Sequence, residues 1–310
     1  MTSVNKRHFL TFILIALAVL LPLVGADGNS ELIREFRIPR AVLAFAVGSS
    51  LALSGLLLQL ILQNSLCEPY ILGLPAGGTI GFIVGSILRV PTLVAGFSFS
   101  AFLGTLGFGA IIVRIARRES ASLILLTGVM LNFVGSSVVT LWMTLSDPTQ
   151  SQAAIRWLFG DLSRAEWTPT GVLLGLTVVS LIYFWRRARD LDSLLLGEAT
   201  ALALGVPIVR LRREVLFVTA LLLSLSVSLA GTIGFVGLMV PHWVRGVSGS
   251  LHRRTLPLVF LWGGLLLVIA DSVSRIIFQP YEIPIGVMTS FIGAPFFIWV
   301  LFKRRGVKDS

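Results

Sequence analysis

The sequence predicts an all-α protein that crosses a membrane about ten times within a single domain covering residues 1–310. Of its 310 residues, 55% are hydrophobic and only 13% are charged, and the mean hydropathy is +0.91. A soluble domain of this size cannot bury so much apolar surface, so lipid must form much of its surroundings. No linker or soluble domain interrupts this composition, which indicates one polytopic helical domain.

Apolar runs in the sequence set the number of crossings. Nine runs come close to the roughly 20 residues that a helix needs to span the hydrocarbon core. A tenth segment, GTIGFVGLMVPHWVR at residues 231–245, is apolar but glycine-rich, and it predicts a short, broken crossing. The alternative is one kinked helix plus a re-entrant piece over residues 215–247. The nine runs are 9–24, 41–62, 71–88, 92–115, 122–145, 170–185, 215–230, 256–278 and 283–302.

The distribution of positive charge favours ten crossings. A net charge of +10 would suggest nucleic acid as the partner of a soluble protein, but here the basic residues cluster between apolar runs. With ten crossings and an inside N-terminus, 18 Lys and Arg residues fall inside and 7 outside, which is a positive-inside arrangement. Without the tenth crossing, Lys303, Arg304 and Arg305 would lie outside. Both termini are therefore predicted to be cytoplasmic.

The N-terminal run also has features of a signal peptide. Lys6 and Arg7 precede the apolar core, and Val24 and Ala26 supply small residues ahead of Asp27. Cleavage there would leave about nine crossings. Because the run is long for a signal core, a first crossing is the preferred interpretation.

Catalytic and metal-binding chemistry finds no support in the sequence. Cys67 is the single cysteine, and the three histidines, His8, His242 and His252, have no metal-ligand spacing. No nucleophile elbow, zinc-protease motif or phosphate-binding loop is present, which disfavours a membrane-embedded enzyme. We expect no catalytic residue, no metal site and no cofactor, and any ATP would have to be bound by another chain.

Polar residues inside the apolar runs are costly unless they are paired or hydrated. Gln59, Asn132 and Asp271 are such residues. Asp271 and Arg275 stand four residues apart with the acid first, which favours a helical ion pair near the outer end of that crossing. No series of membrane carboxylates suggests a proton relay, and this weakens the rival interpretation of an ion-gradient-driven secondary transporter.

Glycines on two runs indicate close helix packing. Gly77, Gly81 and Gly85 recur every four residues, and Gly48 and Gly55 lie on one face of the preceding run. Such faces let a neighbouring backbone approach closely. A groove that faces a transported substrate is the alternative.

Two charged segments outside the crossings have candidate roles. ELIREFRIPRA carries Arg34, Arg37 and Arg40 against the positive-inside trend, and it is either a headgroup anchor or a docking surface for an acidic partner. The largest inside loop, RRARDLDSLLLGEATALALGVPIVRLRRE, predicts a short helix that ends at Gly205 and Pro207. Its leucines would contact lipid headgroups or the groove of a cytosolic motor.

Several of these segments together resemble one family. They are RIPRAVLAFAVGSSLALSGLLLQ, NSLCEPYILGL, GTIGFVGLMVPHWVR, LHRRTLP, ADSVSR and EIPIGVMTSFIGAPFFIWVL, in this order along nearly the whole chain. They resemble the permeases of ATP-binding-cassette (ABC) importers for iron–siderophores, haem and vitamin B12, the FecCD or BtuC-like family. The resemblance implies a BtuC-like type II importer permease fold with ten helices per subunit, in the inner (plasma) membrane.

The resemblance also implies partners. These are a second permease subunit (identical or different), two cytosolic ABC ATPases and an extracytoplasmic substrate-binding protein. It implies that outside arginines meet the binding protein, that residues 194–207 form a pair of short helices in the ATPase groove, and that glycine-rich segments line or gate the translocation path. The residues are Arg37, Arg40 and Arg275 for docking; Leu194, Gly197, Glu198, Ala199, Leu204 and Gly205 for ATPase coupling; and Gly77, Gly81, Gly231, Gly234, Gly237, Pro241 and His242 for the path.

The chain departs from the family pattern in places. Residues 64–67 are Asn-Ser-Leu-Cys where many relatives have Asn-Pro-Leu-Ala, and Pro75 stands where relatives often have a small polar residue. The glycine of the general importer motif, Gly205, comes one residue late. We interpret His242 as a packing or gating residue rather than a ligand. Iron–siderophore is the expected cargo, with vitamin B12 or haem as the alternative, and these residues do not separate them.

Overall fold

In a computed structural model, the protein is described at residues 33–88, 98–116, 120–147, 155, 157–277 and 282–306, and this part of the chain is helical without a strand. A π-turn, Ile33–Arg37, leads into the first helix, and a 3-10 turn, Pro69–Leu72, precedes the second. The helices described are α1 Ile38–Ile61, α2 Leu74–Ile87, α3 Phe99–Ile115, α4 Ala121–Leu145, α5 Trp167–Arg186, α6 Ala188–Leu194, α7 Glu198–Ala203, α8 Ile208–Ala230, α9 Val236–Ser248, α10 His252–Ile277 and α11 Ile285–Gly306.

The helices coincide with the apolar runs. Each run from the second onwards matches one of α1–α5, α8, α10 and α11, and the glycine-broken segment contains α9. Within the described residues, α1, α4, α5, α8 and α10 are long and apolar enough to cross a membrane, and α2, α3 and most of α11 are shorter apolar helices. The predicted all-α polytopic fold is confirmed. The first run, residues 9–24, and the signal-peptide alternative lie outside the described residues.

Helix α1 forms the centre of the bundle. It is almost entirely buried and packs against α5, α8, α9 and α10, as expected for a helix that is apolar on all sides. Two of its serines bond within the core. Ser49 Oγ donates to the Phe260 carbonyl at 2.7 Å, and Ser50 Oγ lies 3.0 Å from Ser226 Oγ. These hydrogen bonds fix the positions of α10 and α8 along the axis of α1.

Glycine contacts set the closest helix approaches. A Cβ atom at Gly48 would overlap the backbone of α10, and one at Gly55 would overlap the backbone of Gly237 in α9. On α2, Gly77 and Gly81 lie against the backbone of α3, so the close packing expected from their spacing is present. Small residues therefore determine where these helices cross.

Helices α1 and α10 run antiparallel and define the two ends of the bundle. The start of α1 lies beside the last turns of α10, where Arg40 meets Asp271. The start of α10 lies beside α6, where His252 meets Asp192. We call these the arginine end and the helix-pair end. Because Asp271 follows His252 by 19 residues in α10, the two ends are about 29 Å apart at a rise of about 1.5 Å per residue, close to the thickness of the hydrocarbon core of a bilayer.

We expect Gly55→Ala to lower the apparent melting temperature of the purified permease. The added methyl group meets backbone atoms of Gly237 that cannot rotate away, and such overpacking costs about 1–3 kcal/mol. Gly171→Ala in α5 is the matched control, because no atom lies within 4 Å of its Cβ position and alanine favours a helix. Equal melting temperatures for both variants in the same detergent would contradict the packing role of Gly55.

Candidate functional site

The arginine end carries an ion-pair cluster of Arg37, Arg40, Asp271, Arg275 and Glu282, which we call the arginine cluster. Arg40 Nε donates to both oxygens of the buried Asp271 carboxylate at 3.1 Å, and Nη2 donates to Oδ1 at 2.9 Å. Arg40 Nη1 donates to Glu282 Oε2 at 3.0 Å. Arg40 therefore clamps the start of α1 to the end of α10 and to the segment before α11.

Arg275 approaches the same carboxylate from its own helix. Its Nε lies 3.4 Å from Asp271 Oδ2, so the ion pair predicted from the sequence spacing is confirmed. Arg37 is the N-cap residue of α1 and lies close enough to Arg275 to act on it electrostatically. The structure thus brings together the three arginines expected to dock a partner. The side chain of Arg34 lies outside the described part of the chain.

The helix-pair end consists of α6 and α7. The loop sequence by itself predicted one short helix, and the family resemblance predicted two within residues 194–207. The structure has two, but the first begins earlier, at Ala188, and ends at Leu194. Gly197, at φ 99°, separates the two helices, and Gly205, at φ 81°, follows the end of α7 as predicted. Both positive φ angles favour glycine because it has no Cβ atom.

Hydrogen bonds and an ion pair attach this helix pair to the membrane helices. The Asp192 carboxylate accepts a hydrogen bond from the backbone N–H of His252 at 2.7 Å and lies 2.8 Å from its Nδ1, which joins α6 to the start of α10. Arg187 forms an ion pair with Glu214 of α8. The short helices are thus attached to α8 and α10.

Apolar side chains remain exposed on the helix pair. Leu195, Leu196, Leu202 and Leu204 point outwards, whereas Leu194, an expected coupling residue, is buried and belongs to the core. Clustered exposed leucines at the end of a bundle indicate a surface that another apolar group covers.

Two further expected coupling residues begin α7. Glu198 and Ala199 are both exposed, and Glu198 forms an ion pair with Arg212 of α8. This pair orients α7 against α8 and leaves the opposite side of α7 exposed.

Between α8 and α9 the chain is not helical at residues 231–235, which we call the central break. Helix α8 ends because Gly231 adopts φ 69°, and a side chain there would overlap the Trp157 carbonyl. A Cβ atom at Gly237, in the first turn of α9, would lie 2.8 Å from the carbonyl oxygen of Leu51, near the midpoint of α1. The start of α9 therefore lies level with the middle of α1, at membrane depth, and the segment 231–245 is interrupted as predicted; its crossing of the membrane stays a prediction.

Side chains from the loop between α1 and α2 bind the backbone of the central break. Tyr70 Oη accepts a hydrogen bond from the Ile233 N–H at 2.8 Å, and the Glu68 carboxylate accepts one from the Phe235 N–H. A backbone N–H at membrane depth has no bulk water to bind, so these two side chains supply acceptors that a helix would otherwise provide.

The polar residues at membrane depth bind the same region. Gln59 Nε2 donates to the Gly237 carbonyl at 3.1 Å, and its Oε1 accepts a hydrogen bond from Arg245. Asn132 Nδ2 donates to the Tyr70 carbonyl at 3.1 Å. Both amides are therefore paired, and they tie α1, α4 and α9 to the loop that supports the break.

The other residues predicted to line or gate the translocation path differ in their surroundings. Pro241 is buried within α9, and the His242 ring lies edge-on to Phe296 of α11, with 6.3 Å between the ring centroids. Gly77 and Gly81 are covered by α3. A role on the translocation path for these residues, and for the glycines of the break, stays a prediction.

Sequence reasoning missed the contacts of four side chains that the structure places at these positions, Glu68, Tyr70, Asp192 and Glu282. Each binds a partner at least 60 residues away along the chain, so no local spacing reveals the contact. One signal did exist for Glu68, which is an isolated carboxylate between two apolar runs.

A helical membrane bundle with a break at its middle, a charged cluster at one end and an exposed helix pair at the other has the architecture of a membrane transport protein. The comparison with known proteins defines its kind. The FecCD transport family matches residues 8–303, and the chain belongs to this family of ABC transporter permeases.

Relatives with different cargoes have similar sequences. The chain is 38% identical to the Fe(3+) dicitrate transport system permease protein FecD of Escherichia coli K12, covering 87% of this chain and 85% of the relative. It is 37% identical to the vitamin B12 import system permease protein BtuC of Vibrio parahaemolyticus (90% and 85% covered). It is 34% identical to the hemin transport system permease protein HmuU of Yersinia pestis (87% and 83% covered).

A solved structure has the same fold. It is described as an inward-facing conformation of a metal-chelate type ABC transporter, and it superposes with a TM-score of 0.84 at 28% identity, covering 96% of this chain and 99% of the other. The BtuC-like permease fold expected from the resemblance is therefore confirmed.

We expect Tyr70→Phe to destabilise the permease, because the buried Ile233 N–H then loses its acceptor at a cost of about 1–3 kcal/mol. Tyr183→Phe is the matched control. The Tyr183 hydroxyl accepts a hydrogen bond from Arg187 in an exposed setting, where water replaces it. Thermal unfolding in detergent should show a drop of several degrees for Tyr70→Phe and little change for Tyr183→Phe. The reverse order would exclude a supporting role for Tyr70.

Proposed function

We propose that this protein is the permease subunit of an ATP-driven importer that carries iron–siderophore complexes across the inner membrane by alternating access. The observation that carries the proposal is membership of the FecCD family over nearly the whole chain. In this proposal ATP is hydrolysed by separate ATPase subunits, and the permease contributes binding surfaces and a path rather than catalysis.

The arginine cluster is proposed as the docking surface for an extracytoplasmic binding protein. Guanidinium groups recognise carboxylates through paired, charge-assisted hydrogen bonds, and three of them are gathered here at one end of the bundle. Arg40 already binds Asp271 and Glu282, so its contribution depends on those two acids. This orientation places the arginine end outside and both termini in the cytoplasm, in agreement with the positive-inside distribution.

The helix pair is proposed to contact the ABC ATPase. Its leucines form an apolar surface, and its ion pair with α8 and hydrogen bonds with α10 would carry a displacement of the pair into the membrane helices. The buried Leu194 supports this surface from beneath. A helix lying on lipid headgroups would need the same leucines but no rigid attachment to α8 and α10.

A second permease subunit is the remaining proposed partner. Helices α4 and α5 bury little of their surface within the chain, so lipid or another subunit covers most of it. A path between two subunits would suit bulky cargo, because no single chain must enclose it. The central break would then lie at membrane depth, where discontinuous helices of transporters change shape.

The cargo is proposed from the relatives. Their names specify iron dicitrate, vitamin B12 and hemin at similar identity. We place an iron–siderophore chelate first because an iron dicitrate permease and a metal-chelate type transporter are among the similar proteins, and vitamin B12 or haem second. Native mass spectrometry of the assembled importer with its binding protein and bound ligand would identify the cargo and the subunit stoichiometry.

Vanadate distinguishes an ATP-driven importer from an ion-gradient transporter. In proteoliposomes that contain the permease, ATPase and binding protein, with ATP on the ATPase side, we expect vanadate to abolish iron–siderophore uptake and an uncoupler to leave it unchanged. The reason is that the energy comes from the ATPase and not from a proton gradient. Uptake that resists vanadate but stops with the uncoupler would overturn the proposal.

One variant at each end of the bundle should separate binding-protein docking at the arginine end from ATPase assembly at the helix-pair end. Arg37→Glu is expected to weaken binding-protein docking about tenfold or more and to leave ATPase assembly intact. Leu202→Glu is expected to do the opposite, because it places a charge in the proposed apolar contact. Each variant is the control for the other, with docking measured by surface plasmon resonance and assembly by co-purification. Loss of both functions in either variant would contradict the assignment of the two ends.

A further inference from the structure

We infer that Glu282 is an intramolecular stand-in for a carboxylate of the binding protein, and that docking exchanges one carboxylate for the other on Arg40. The inference rests on the proposed function, because it concerns the same docking surface. Three observations carry it: the unequal contacts of Arg40 with its two acids, the unequal exposure of those acids, and a cavity that reaches Arg40.

The two acids that bind Arg40 differ in how replaceable they are. Asp271 is 2% exposed and accepts from both Nε and Nη2 of Arg40. Losing that contact would leave a buried charge unpaired, which is strongly unfavourable. Glu282 is 55% exposed and accepts a single hydrogen bond from Nη1. Water can solvate Glu282 when it leaves, so Glu282 is the partner that an incoming carboxylate can displace.

A cavity gives an incoming side chain access to Arg40. The Arg40 side chain is only 13% exposed, so a partner cannot reach it on a flat surface. A cavity of about 410 Å³ is lined by Arg40, Asp271 and Glu282 and, across from them, by residues 160–163 and 283–285. Small-ligand pockets have volumes of about 300–1,000 Å³. A carboxylate side chain therefore fits without separation of the helices.

Charge balance within the cavity favours an exchange over an addition. Asp161, Asp271 and Glu282 line the cavity with Arg40, whereas Arg275 pairs with Asp271 and is not among the lining residues. A further carboxylate inside the cavity would be repelled by the three lining acids, and replacing Glu282 leaves the number of negative charges around Arg40 unchanged. A metal ion is a poor alternative occupant, because the described residues contain no group of His, Cys, Asp and Glu side chains arranged to hold one.

Glu282→Gln tests the exchange in the complete importer complex in nanodiscs, with the purified binding protein of the same importer as the probe. We expect the dissociation constant to fall about two- to fivefold, because docking no longer has to break an exposed ion pair. Glu35→Gln is the matched control. Glu35 is an exposed acid two residues before Arg37. Its replacement removes a negative charge at the same end of the bundle and leaves the contact between Glu282 and Arg40 in place.

The dissociation constants of the two variants distinguish the exchange from other roles of Glu282. Tighter docking for Glu282→Gln together with a smaller gain for Glu35→Gln supports the exchange. An unchanged constant for Glu282→Gln, or an equal gain for Glu35→Gln, overturns it and leaves the proposed function intact. Weaker docking for Glu282→Gln would show that Glu282 itself contacts the partner, which also overturns the exchange. Absence of docking by the wild-type permease would instead refute the proposed function.

Discussion

The backbone of the central break is stable at membrane depth only because other segments complete its hydrogen bonds. Tyr70 and Glu68 accept from its N–H groups, and the loop that precedes α5 lies against its other side, where Asp161 N–H donates to the Ala230 carbonyl at 2.9 Å. The start of α11 joins the same loop through the Gly286 N–H, which donates to the Phe159 carbonyl at 2.8 Å. Three segments distant in sequence therefore meet at one interrupted helix, and their positions depend on its shape.

Local spacing predicted much of this arrangement. The apolar runs located the membrane helices, the glycines at 231, 234 and 237 located the break, and the i, i+4 spacing of Asp271 and Arg275 predicted their ion pair. Each of these features arises within a few residues of chain. The positive φ of Phe235 could not be predicted in this way, because glycine is the residue expected there. The Phe235 N–H donates a tertiary hydrogen bond to the Glu68 carboxylate, which supports the unfavourable conformation.

The sequence did not predict the contacts that Arg40 makes within the arginine cluster. A docking role for Arg40 was expected from family resemblance, but its partners Asp271 and Glu282 lie 231 and 242 positions away and follow no periodicity. Burial explains why the contacts form. Arg40 begins a helix that is otherwise enclosed by the bundle, so its charge must be neutralised by acids from neighbouring helices. The same requirement makes Arg40 less available to a partner than the sequence suggests.

The packing differs between the centre of the bundle and the break beside it. Helices α1 and α10 meet backbone to backbone at Gly48 and Gly263, with Ser49 bonded to the Phe260 carbonyl one turn away. Sliding one past the other would force side chains into backbone atoms, so this pair behaves as one body that links the two ends. The break between α8 and α9 has no continuous series of helical backbone hydrogen bonds. It is held instead by individual hydrogen bonds to side chains. A displacement of α8 would therefore act on those individual hydrogen bonds, which involve Tyr70 and Glu68, whereas the α1–α10 pair would resist it.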